Sequence, residues 1–335
     1  MKKTYVKFGI VLLLLGLAPF FLSLFYINLL SEILILAIFA LGLNILVGYT
    51  GLVSLGHAAF FGVGGYTAAL IAMNLSNNLF LTLGLAILGS VLVAAVLGIF
   101  CIRVNGFYFL MLTLALSQMI YSYIYQSTGL TGGSNGLSGI PSPSVGSLLF
   151  NNPVFIFYLT AVLFFLVYVF LRTILHSPFG NVLIGIRENE GRIQSMGYNT
   201  NMYKYVAFII AGGIGGIAGA IYTYFNGFIA PTDVYWTMSG TALFMVIIGG
   251  AGTLLGPVLG AALIVTMETI VSSYTDMWML IIGAVFIIFV IFFPKGLTGI
   301  GERIYQGFLK DRLFRIKRKV PVEAANVNQM ERGAK

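Results

Sequence analysis

The chain has 335 residues, of which 59% are hydrophobic and 8% charged, and 18 Lys and Arg against 10 Asp and Glu leave a net charge of +8. So few charges exclude an ordinary soluble domain, because apolar runs of about twenty residues recur, each long enough to cross roughly 30 Å of hydrocarbon. The ten-residue alternating strands of a closed barrel, the other spanning solution, do not fit runs such as residues 8–30, so the class is an all-α polytopic membrane protein.

In chain order the predicted spans are 8–30, 32–49, 53–74, 79–100, 105–126, 153–171, 205–226, 238–254, 257–274 and 277–294. Lys2, Lys3 and Lys7 precede the first, which is too long for a signal peptide and lacks a small-residue cleavage pattern; it reads as a retained anchor. Asn44 lies in the second span. His57 lies in the third, with Ser54 and Phe61 on its face at i−3 and i+4. Two readings stand for His57: it lines a pathway, or it is a neutral imidazole bonding a neighbouring helix. Thr113, Ser117 and Gln118 make the fifth span polar on one side, through hydrogen bonds between helices or through contact with a substrate. Cys101, the only cysteine, cannot form an internal disulfide.

The loop 127–152 is uncharged and rich in Gly, Ser and Pro, which forbids a regular helix there. It is longer than a simple connection needs, so it folds over an entrance or meets a partner. Residues 172–204 then leave the apolar pattern. Arg172, Arg187, Glu188, Glu190, Arg192 and Lys204 must lie in water or against another protein. Leu183, Ile186, Ile193 and Met196 form an apolar stripe on a helix that Gly197 ends. In the seventh span Gly212 and Gly216, like Gly215 and Gly219, are four apart and leave a face open to close helix approach. Gly249, Gly250, Gly252, Gly256 and Pro257 break the next apolar run into a pair. Glu268 is the one carboxylate well inside a predicted span, where an unpaired charge costs about 2.5 to 3.5 kcal/mol at the midplane.

All basic residues fall in four places: Lys2, Lys3 and Lys7; Arg103; the 172–204 segment; and Lys295 onward. Ten spans put all four on one side, which the positive-inside rule makes cytoplasmic, with both termini. The net charge therefore reflects topology, and nucleic-acid binding is not read from it. The basic tail 301–335 is a solvated membrane flank that can also meet anionic lipid.

No GxxxxGK[ST] motif occurs, so work driven by ATP needs a partner. Gly213, Gly215 and Ala218 mimic part of a dinucleotide fingerprint, but no strand precedes them. His57 and His176, the only histidines, stand in no metal motif, and no catalytic constellation is present. The chain reads as no enzyme, with no metal or cofactor of its own.

The blocks GYTGLVSLGHAAFFGVGGYTAAL (48–70), FYFLMLTLALSQ (107–118), TGGSNGLSGIP (131–141), SPFGNVLIGIRENEGRIQSMGYN (177–199) and GGAGTLLGPVLGA (249–261) together resemble the permease subunit of branched-chain amino-acid ABC importers, in the LivM-type half of that family. The resemblance implies a type II-like permease bundle over 1–300 in the bacterial inner membrane. It also implies partners: two ATP-binding subunits holding ATP and Mg, a second homologous permease and an external substrate-binding protein. It makes 172–204 the coupling loop, with Arg187, Glu188, Asn189, Glu190, Arg192, Met196 and Gly197 as coupling residues. His57, Ser54, Asn44, Thr113, Gln118 and Glu268 are the pathway candidates. Arg192 and Ile193 stand where the family pattern has two small residues. A urea or amide permease of the same family, a proton-coupled carrier using Glu268 and a scaffold that moves nothing are the alternatives.

Overall fold

The structure is a computed structural model describing residues 16, 19, 21–145, 148–149, 152–275, 277–293 and 296–299. Lys2, Lys3, Lys7, about half of the predicted 8–30 span and the tail 301–335 lie outside them. The long helices are α1 (Leu24–Asn44), α2 (His57–Asn74), α3 (Leu79–Cys101), α4 (Phe107–Gln126), α5 (Pro153–Leu175), α6 (Pro178–Ser195), α7 (Thr200–Asn226), α8 (Trp236–Gly249), α9 (Gly256–Ser272) and α10 (Trp278–Phe292). A π-helical turn, Ile45–Thr50, continues α1. Among the described residues five helices, counting α1 with its π turn, are by length and composition able to cross a membrane, and α8, α9 and α10 are shorter apolar helices.

The break expected at residue 31 does not occur. Ser31 lies inside α1, where its hydroxyl donates to the Ile27 carbonyl at 2.8 Å, and no glycine or proline stands near it to break the helix. The chain bends instead at Ser23, which is extended (φ −69°, ψ 161°). Glu32 is thereby carried inside a continuous helix. The expected interruption after residue 249 is present: α8 and α9 flank a loop in which Gly250 (φ 116°) and Gly252 (φ 84°) take conformations that glycine alone adopts easily.

Helix α1 is buried nearly all round from Ile33 to Leu46, as is the face of α7 that meets it, so these two form the middle of the bundle. Helices α2 and α3 pack on α7, while α5 and α9 pack on α1. The glycines of α7 make this possible. A Cβ at Gly219 would overlap the Phe61 carbonyl on α2, and one at Gly216 would overlap the Ser90 side chain on α3. They open two faces rather than one, the Gly215–Gly219 row toward α2 and the Gly212–Gly216 row toward α3.

The loop after α4 folds back, as its composition allows. One helical turn, Thr128–Thr131, and a 3₁₀ turn, Gly133–Asn135, precede β1 (Leu137–Ser138). Strands β2 (Ser144–Val145) and β3 (Leu148–Leu149) pair with each other, and β1 pairs antiparallel with β4 (Phe228–Ile229) beyond α7. This loop and a 3₁₀ turn at Pro231–Val234 sit at one end of the bundle. The π turn, the residues joining α3 to α4, helix α6 and the 250–255 loop gather at the other.

Candidate functional site

Helix α6 is the amphipathic element of the bundle. Pro178 occupies its first turn, where a missing N–H costs nothing. Val182, Leu183 and Ile186 are buried against the bundle. The helix is not continuous: Asn189 is extended (φ −161°, ψ 98°), and its side-chain oxygen accepts from the Arg192 N–H at 3.0 Å, so that it caps a second short helix. Ile193 in that second part folds back over Gly185. Met196, 64% exposed, lies off the apolar face, so the expected stripe ends at Ile193. Gly197 (φ 88°) closes the segment, with its N–H donating to Gln194 and that of Tyr198 to Ile193. Asn189→Ala is expected to cost about 1 kcal/mol through the lost cap; faster amide exchange confined to 190–195, beside a slightly lower thermal midpoint, is the check.

The charges of this segment divide into two groups. Glu188 and Arg192 are exposed. Glu190 turns inward, where its Oε1 accepts from Lys204 Nζ at 2.7 Å and from the Thr200 hydroxyl at 2.9 Å. Lys204 does not lie in water as its charge suggests. It is 1% exposed, and the Glu190 carboxylate and the Asn105 oxygen, at 2.8 Å, satisfy its ammonium. Arg187, though exposed along much of its length, donates from Nη1 to the Gly48 carbonyl in the π turn.

The interior candidates fall into separate places. Asn44 donates from Nδ2 to the Thr253 carbonyl at 2.9 Å and accepts from the Gly252 N–H at 3.0 Å, joining α1 to the 250–255 loop. Ser54 precedes α2 rather than lying on it, and its hydroxyl accepts from the Gly56 N–H. Thr113 of α4 accepts from the Leu55 N–H at 3.3 Å, and Ser239 of α8 accepts from the Ala58 N–H at 2.7 Å. The irregular backbone before α2 and its first free N–H groups are thus satisfied from two other helices. Ser239 was not legible as part of this group, since a serine in an apolar run carries no spacing signal.

His57 is wholly buried at the start of α2, its ring stacked on Phe39 at 4.9 Å and set edge-on to Phe60 at 5.9 Å. Among the described residues the buried Ser117 hydroxyl and the Gln118 amide nitrogen have no hydrogen-bond partner, and the His57 ring has none but the Phe39 backbone.

Glu268 stands apart from this group, in the C-terminal part of α9. Glu32 of α1 lies close enough for the two carboxylates to act on one another. Tyr222 of α7 is within electrostatic reach of both and of Asp233. Beside them Tyr222, Asn226, Phe228, Ala230, Thr232 and Asp233 line a cavity of about 370 Å³. Burial raises the Asp233 carboxyl above the usual carboxylate range, against the pull of its bond from the Ala230 N–H. Among the described residues no group of His, Cys, Asp and Glu could hold a metal.

The family profile described as "Branched-chain amino acid transport system / permease component" matches residues 25–290. The permease protein LivM of a high-affinity branched-chain amino acid transport system in Salmonella typhimurium is 29% identical, over 83% of this chain and 71% of its own length. A probable LivM permease of Methanocaldococcus jannaschii is 27% identical over 71% of this chain and 78% of its own. The LivH permease of Salmonella typhimurium is 24% identical over 78% and 91%. No solved structure matches. The chain belongs to the branched-chain amino acid transport permease family, and it is a multi-pass membrane protein.

Proposed function

We propose that the chain is the LivM-like permease subunit of an ATP-binding-cassette importer for branched-chain amino acids. A second, LivH-like permease completes the pore, two ATP-binding subunits drive it, and an external binding protein delivers substrate. The membrane is the bacterial inner membrane, crossed ten times by residues 1–300, with both termini and the basic tail 301–335 in the cytoplasm. The observation that carries this reading is α6. It is a short amphipathic helix between two apolar ones, anchored by its apolar face and presenting Ile184, Glu188, Arg192, Met196 and Tyr198 outward. Such a surface suits a groove on an ATPase. Lys204 bonds Asn105, which brings the loop holding Arg103 to the same end as α6 and agrees with one cytoplasmic face.

Substrate would enter beside the cavity at the opposite end and leave past the loop before α2. Differential affinity of substrate and ATPase for the two pore states supplies the bias. One feature favours a second reading, a proton-coupled carrier: Glu32 and Glu268 are two carboxylates within helices of the bundle and within electrostatic reach of one another.

One experiment separates the readings. The chain is reconstituted with its genomic neighbours, and uptake of leucine, valine and urea is measured with and without ATP. Leucine and valine uptake that requires ATP is the expected result, and uptake of urea instead moves the substrate to the amide branch. Uptake by this chain alone, abolished by a protonophore and by Glu268→Gln, overturns the ABC reading in favour of the carrier. No uptake with intact partner binding leaves a scaffold.

A further inference from the structure

Three segments that are far apart in sequence meet at Gly48. The π turn of α1 presents the Gly48 carbonyl, which Arg187 of α6 bonds. A Cβ at Gly48 would overlap both the Asn44 side-chain oxygen and the Gly252 nitrogen, so α1 and the 250–255 loop touch backbone to backbone. Asn44 bonds that loop twice, at Gly252 and Thr253. Arg187 fills the remaining angle: its Cγ lies 3.3 Å from where a Cβ of Gly51 would stand, and Nη1 lies 2.6 Å from that of Gly252. Helix α6 also has a second anchor. Beyond the break at Asn189, Glu190 ties its other half to Lys204 on α7 and through it to Asn105.

We propose that Arg187 is the residue that transmits movement of α6 into the pore, acting inward on the π turn and the 250–255 loop rather than outward on a partner. Three features of the geometry bear on this. A π turn is a locally weaker helix and occurs often at functional sites, so α1 has a place to rewind. The two helices that the 250–255 loop joins, α8 and α9, flank α1, so a pull at Gly48 reaches all three. The break at Asn189 lets the Arg187 half of α6 move against the half held on α7. A single guanidinium then decides whether a push on α6 moves α1 or is lost in its own displacement.

The inference rests on the permease reading, so its test uses the complete importer in vesicles, with ATP hydrolysis and leucine uptake measured on the same preparation. Arg187→Met keeps the stem against Gly51 and removes the donor, whereas Arg187→Lys keeps a donor. Arg187→Met is expected to assemble and hydrolyse ATP at the unstimulated rate, while leucine taken up per ATP falls about tenfold. Arg187→Lys should recover most of that loss. Unchanged uptake per ATP in Arg187→Met overturns the proposal, as does a loss of hydrolysis and uptake in equal proportion, which marks Arg187 as a docking residue. Failure of the wild-type importer to take up leucine with ATP overturns the permease reading itself, and the transmission proposal with it.

Discussion

Glu190→Gln should destabilise the protein by about 3–5 kcal/mol, and Lys204→Met by clearly less, although the two changes remove opposite halves of one ion pair. The asymmetry follows from burial. Lys204 is 1% exposed and Glu190 25%, so the lysine depends on the pair and the glutamate only partly. With glutamine at 190 the ammonium keeps the Asn105 oxygen and loses its counter-charge while remaining 1% exposed. With methionine at 204 the carboxylate retains solvent and the Thr200 hydroxyl, and the methionine stem fills most of the lysine's volume. The double variant should sit near Lys204→Met, because removing both charges leaves no buried ion behind. Thermal unfolding of the solubilised chain ranks the three. If Lys204→Met proved the least stable, or the double variant no better than Glu190→Gln, the pair would not be held together by the needs of a buried lysine.

The same residues show what a sequence can reveal here and what it cannot. Apolar runs, glycine breaks and the polar island 172–204 were legible because each is local: a run of a given length, a residue with a given backbone freedom, a charge with a given cost in hydrocarbon. The split of 238–274 into α8 and α9 and the close approach of α7 to its neighbours follow from those rules. The predicted break at 31 gives way to one at Ser23 because Ser31 satisfies its hydroxyl within α1, so a polar residue there does not end the helix. That shift of eight residues hid Glu32 and, with it, a second carboxylate within electrostatic reach of Glu268.

The direction of the charges in α6 was not legible for a different reason. Arg187, Glu188, Glu190 and Arg192 are equally polar by type, and what turns two of them inward is the Gly48 carbonyl, remote in sequence, and Lys204 on the next helix, itself held by the remote Asn105. The extended Asn189 matters most. By breaking α6 it rotates the second half, so that Glu190 reaches α7 and Met196 leaves the apolar face. An asparagine followed three residues later by a free N–H is a capping signal, but inside an otherwise helical pattern nothing in the sequence says that the cap is used.

Gly219→Ala, a change of one methyl group, should be among the most damaging small substitutions in the chain. A Cβ at 219 would overlap the carbonyl of Phe61, which belongs to the backbone of α2 and cannot rotate away. The helices would have to part, and because Gly64 meets the backbone of Gly216 on the same seam, separation at one point opens the next. Overpacking of a tight core costs about 1–3 kcal/mol where side chains can adjust, and a rigid backbone contact lies at or above the top of that range. Lipid offers no rescue, since helices in a bilayer associate through close packing and not through exclusion of water. Gly84→Ala on α3 supplies the comparison: nothing lies within 4 Å of its Cβ position, so it should be neutral or slightly stabilising through better helix propensity. Thermal midpoints of the two variants in detergent, with the yield recovered from membranes, decide the matter. A Gly219→Ala protein as stable as Gly84→Ala would mean that α2 and α7 are not in backbone contact, and the central seam of the bundle would have to be redrawn.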